Sequence, residues 1–85
     1  MGEVPIASMR NLGPKMALWL GEIGIHDAGQ LRRTGAVDAW KQLKVSRGGQ
    51  ISLLGLYAMQ AALMGIDWRE LPDEFKAALR EQALA

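Results

Sequence analysis

The chain has 85 residues, a formal net charge of +1 and no cysteine. One small domain is all this length supports, and it buries only about 60 to 65% of the surface its unfolded chain exposes. Missing cysteines exclude a disulfide framework and a thiolate zinc site and suit a reducing compartment, while near-neutral charge excludes an argument for nucleic-acid binding from composition alone.

Glu3 and Pro5 interrupt the N-terminus, where a secretory leader needs a basic stretch and an apolar run, so no targeting segment is expected. Glycine and proline then fall mostly between apolar patches, and no alternating run is long enough for a strand, which predicts an all-α fold. A short first helix is expected from Pro5 to Asn11, with proline in its first turn and Gly13 ending it. A second begins at Pro14 and carries Met16, Trp19, Leu20 and Ile23 as a buried stripe, stopped by Gly24. Asp27 is the expected cap of a third helix reaching Arg33 or Thr34, with Leu31 inward, Arg32 and Arg33 near its negative end and Gly35 closing it.

Asp38 to Val45 reads as a fourth helix, with Trp40, Leu43 and Val45 apolar, Lys41 and Lys44 outward, and Ser46 to Gly49 as its loop. The fifth runs from Ser52, as cap, to Met64 and is apolar around nearly its whole circumference. Such a helix is either the centre of the bundle or half of a dimer seam, so monomer and homodimer both stay open. Its apolar run, Ile51 to Ile66, contains Ser52 and Gln60 and falls short of the roughly 18 to 20 residues that cross a membrane. Asp67 to Glu70, "DWRE", reads as a capping box, and Pro72 starts a last helix through Leu84 with Phe75, Leu79 and Leu84 as a thin apolar face. The chain, 1–85, therefore reads as a single compact bundle of five or six short helices in a cytoplasmic setting.

Charge is unevenly spread: residues 1–50 hold seven Lys and Arg against four Asp and Glu, the remainder three against five. His26 stands beside Asp27, but no second histidine, cysteine or nucleophile motif completes a catalytic constellation. No enzymatic activity, cofactor or metal is expected. The tryptophans read mainly as core, with Trp68 the best placed to stack on a base.

The stretch "MRNLGPKMALWL" carries the functional question. A tight turn containing glycine, followed by a helix that begins Pro-Lys, is how a helix-hairpin-helix presents backbone N–H groups to a DNA phosphate. It is equally how two helices are joined without any ligand. If a phosphate is held, Arg10, Asn11, Gly13 and Lys15 are its candidate contacts, with Lys41, Lys44 and Arg47 as flanking cations.

The segment "RNLGPKMALWLGEIGI…LRRTG" resembles the helix-hairpin-helix units of DNA repair proteins and of the C-terminal domain of bacterial RNA polymerase α subunit. Asn11 stands where the first hairpin glycine is usual. Over a longer span, "RNLGPKMALWLGEIGI", "LRRTGAVDAWKQLK" and "SLLGLYAMQAALMGIDWRELP" together resemble the C-terminal domain of the TfoX family, bacterial regulators of competence for DNA uptake. That resemblance implies an all-α domain with a hairpin element at residues 5 to 24 and a role in regulating DNA-uptake genes. The implied partner is DNA, through non-specific backbone contacts, or a transcription-related protein bound by the same scaffold.

Overall fold

A computed structural model describes residues 4–85. Five α-helices follow in chain order: α1 Pro14–Glu22, α2 Ala28–Thr34, α3 Ala36–Arg47, α4 Leu53–Met64 and α5 Asp73–Leu84. Single 3-10 turns lie at Ile6–Ser8, Gly48–Gln50 and Trp68–Glu70. Among the described residues there is no strand, and the all-α expectation holds.

The first expected helix is replaced by the turn Ile6–Ser8. Pro5 is extended and forms an isolated antiparallel bridge with Asp27. The Ala28 N–H donates to the Val4 carbonyl at 2.8 Å and the Ile6 N–H to the His26 carbonyl at 3.4 Å. Groups that would have started an α-helix are thus committed to a segment twenty residues away, and Ile6 is fully buried beneath them.

The remaining boundaries follow their local chemistry. Asp27 caps α2 by accepting the Gln30 N–H at 2.9 Å. Helices α1 and α4 both end in a Schellman motif. Gly24 (φ 86°) and Gly65 (φ 73°) take the left-handed position that glycine reaches without steric cost, and Ile25 and Ile66 donate back to Leu20 and Ala61. Ser52 sits at the N-cap of α4 as expected but makes no side-chain cap. The capping box at Asp67 is complete, on a 3-10 turn rather than an α-helix.

Helix α3 is longer than expected at both ends. Gly35 (φ 86°) closes α2 and directly precedes α3, whose first residue, Ala36, is buried. Ser46 and Arg47 continue the helix past Val45. Val45 itself is 89% exposed, because it lies about 200° around the helix from buried Leu43. On α5 the inward pair is Leu79 and Ala83, one turn apart, while Phe75 and Leu84 are largely exposed.

Helix α4 occupies the centre, packed against α2, α3, α5 and the turn Trp68–Glu70, with Leu56 and Met59 wholly inaccessible. Its most exposed large side chains, Leu54 and Met64, sit at its two ends, while Leu53, Tyr57, Gln60 and Leu63 are partly buried. Gly55 packs closely: a Cβ there would lie 2.7 Å from Ile51 Cδ1, and the end of that side chain would have to shift. No helix is long and apolar enough to cross a membrane among the described residues.

Candidate nucleic-acid interface

The hairpin is a four-residue turn, Met9 to Leu12, closed by the Leu12 N–H donating to the Met9 carbonyl at 3.2 Å. Its third residue, Asn11, has φ 71°, the one non-glycine with positive φ among the described residues. Asparagine tolerates this region better than most residues, so Asn11 fills the conformational place of the missing glycine.

The Asn11 side chain does something no glycine could. Its Nδ2 donates to the Ile66 carbonyl at 2.8 Å, and its Oδ1 accepts the Trp68 N–H at 3.1 Å. The turn is thereby stapled to the connection between α4 and α5, more than fifty residues on. The amide points into the domain, so what Asn11 offers an incoming phosphate is a backbone shape rather than a side-chain contact.

Gly13 behaves differently from the usual hairpin glycine. Its φ of −122° and ψ of −169° are open to any residue, and a Cβ built on it meets nothing within 4 Å. Gly13 is the N-cap of α1 and has no side chain to satisfy the first turn, and Pro14 has no N–H. The N–H groups of Gly13, Lys15 and Met16 consequently have no acceptor among the described residues. Three backbone donors at the positive end of α1 are thus left without an acceptor among the described residues.

The cations around this spot are partly gathered and partly not. The Lys15 ammonium lies 4.8 Å from the centroid of the Trp19 ring, and the Arg47 guanidinium 5.0 Å from the same ring. Trp19, 92% buried, thus brings the start of α1 and the end of α3 together through two cation–π contacts. Arg47 also forms an ion pair with Glu22. Lys44, one turn earlier, stands 5.6 Å from the Trp40 ring, and its Nζ reaches the Ile51 carbonyl at 3.5 Å.

Lys41 is exposed on α3, and Arg10 is exposed on the hairpin. Arg10 acts on Asp67, whose carboxyl is held well below the usual carboxylate range. The main cause is the Arg69 guanidinium, which donates Nε to Oδ1 and Nη2 to Oδ2 at 3.0 Å each, followed by the Arg69 backbone N–H and by a smaller Coulombic contribution from Arg10.

Beside the hairpin, a groove of about 340 Å³ runs between α1 and α4. The sequence offered no signal for it, because its walls come from residues forty positions apart. His26 is exposed, and its backbone N–H donates to Gln30 Oε1. Among the described residues no cluster of His, Asp or Glu could hold a metal ion. Trp19 and Trp40 are core residues, and Trp40 Nε1 donates to the Ser52 carbonyl at 2.9 Å. Trp68 is half-buried, with the Lys76 ammonium 5.7 Å from its ring.

Compared with known proteins, residues 3–83 match the family model described as the TfoX C-terminal domain. Two solved structures from Listeria monocytogenes share the fold. One, a triclinic form of an uncharacterized protein, is 23% identical with a TM-score of 0.85, covering 91% of this chain and 86% of that one. The other, a tetragonal form of a protein of unknown function, gives the same identity and TM-score, covering 92% and 95%. No curated protein matches the chain.

Proposed function

We propose, from the premise that this chain belongs to the TfoX C-terminal domain family, that it is a bacterial regulatory module of the competence-regulator type that holds DNA by its backbone at the hairpin turn. The observation that supports this most is the start of α1, where the N–H groups of Gly13, Lys15 and Met16 have no acceptor among the described residues and the Lys15 side chain is exposed. A phosphate oxygen there would accept charge-assisted hydrogen bonds from backbone donors that no side chain obstructs.

Contacts of this kind position a protein on the duplex and read no base. Sequence preference would come from other parts of the regulatory assembly. Arg47 and Lys44 extend the cationic surface from α1 onto α3, and each phosphate neutralised adds about 0.9 to the salt slope of the binding constant.

Titration of duplex DNA at about 50 mM and about 200 mM salt tests the reading. Binding at the lower salt that weakens at the higher, and that is reduced in Lys15→Glu, is the expected result. Failure to bind at the lower salt, or affinity unchanged in Lys15→Glu, would remove the hairpin–phosphate contact. The apolar groove beside the hairpin favours a second reading on the same scaffold, docking of a protein partner.

A further inference from the structure

We infer that the groove between α1 and α4 is a docking site for an acidic amphipathic peptide segment of a partner protein. Its apolar lining includes Met16, Trp19, Ile51, Leu54 and Ala58, and the turn before α1 closes one end of it. Leu54 is 47% exposed there, an apolar side chain on the central helix that its own domain leaves uncovered. At about 340 Å³ the groove lies at the small end of ligand pockets, suited to the anchoring side chains of a short segment rather than to a whole domain.

Charge selects the occupant. Lys15 is the one ionisable residue lining the groove, and no carboxylate lines it. Lys44 reaches the carbonyl of Ile51 on its floor, and Arg47 lies over the Trp19 ring that forms its wall. Arg47 is held by Glu22, so among the described residues the unopposed positive charge at the trough comes from Lys15 and Lys44, and such a border fits a helix or extended segment that carries leucine or phenylalanine anchors with carboxylates beside them. A nucleic acid is disfavoured in the trough itself, because Trp19 is covered and presents no open face for a base.

This inference does not rest on the DNA reading, and the two separate in one experiment. The probe is a short fluorescein-labelled peptide with leucines at i, i+4 and i+7 and glutamates between them. Its controls carry glutamine or lysine in place of glutamate. Binding to the 85-residue chain is followed by anisotropy and by amide chemical shifts. The acidic peptide should bind tightest and move the amides of Met16, Leu54, Gly55 and Ala58. Leu54→Gln, which removes the apolar anchor without adding charge, should weaken it at least about tenfold, the loss expected when one leucine-sized anchor site is spoiled, while leaving DNA affinity unchanged. Leu54 is exposed, so this variant is expected to fold, and a matching thermal melt verifies it.

Equal binding of the lysine peptide, or indifference to Leu54→Gln, would overturn the inference. So would self-association that disappears in Phe75→Glu, since Phe75 is an exposed aromatic beside Asp73 and Glu74 and a second copy would then be the occupant. Duplex DNA whose affinity falls in Leu54→Gln would assign the trough to nucleic acid instead.

Discussion

Replacing Gly13 with serine separates stability from binding. Backbone conformation at Gly13 is open to any residue, and the space beyond its Cα is empty. A serine N-cap can accept the N–H of Lys15 or Met16, a gain of a few tenths of a kcal/mol over glycine, and loss of glycine's freedom in the unfolded chain adds about 0.4 to 1 kcal/mol. Together about 0.5 to 1.5 kcal/mol raises Tm by roughly 2 to 12 °C for a domain of this size. The same hydroxyl occupies donors that a phosphate would use. Losing one charge-assisted bond of about 1.5 to 3 kcal/mol lowers DNA affinity by roughly tenfold or more. Circular dichroism melting and fluorescence anisotropy on a short duplex measure both. A lower Tm would refute the conformational reading of Gly13, and a higher Tm with unchanged affinity would refute the phosphate contact.

Three further outcomes follow from the same geometry. Asn11→Ala loses both the tolerance of positive φ and the two hydrogen bonds to Ile66 and Trp68, and should cost about 2 to 3 kcal/mol by urea denaturation, with Asn11→Gly costing less because the turn survives. Leu56→Ala, at a wholly inaccessible position on the central helix, should cost about 2 to 5 kcal/mol, and a Tm independent of protein concentration would place that cost within one chain. Asp67, its folded pKa depressed chiefly by Arg69, contributes stability that is present above its unfolded pKa of about 3.9 and is lost as pH falls below it. The Tm difference between the native chain and Asp67→Asn should therefore shrink between about pH 5 and pH 2.

Local chemistry made most of the helices legible in sequence. Pro14 and Asp27 mark real starts, and Gly24 and Gly65 mark real ends, because caps and left-handed turns depend on a few adjacent residues. Interactions that depend on distant residues were not legible. The bridge between Pro5 and Asp27 removed the first helix, and nothing within residues 5 to 11 announces it. The Asn11 staple joins positions 55 and 57 apart in sequence.

The same division runs through the candidate site. The turn and the order of cations were visible, but the meeting of Lys15 and Arg47 over one tryptophan needed the packing of α1 on α3. The glycine of the turn, Gly13, does not carry the left-handed backbone. The positive φ falls on Asn11 instead, which leaves Gly13 without a conformational requirement for glycine.

The hairpin–phosphate contact is tested most directly by the amide spectrum of the isotopically labelled chain during titration with a short DNA duplex at low salt. The expected result is that the largest shifts fall on the Gly13, Lys15 and Met16 N–H resonances and reverse on adding salt. Shifts confined to other surfaces, with these three amides unmoved at saturation, would contradict it.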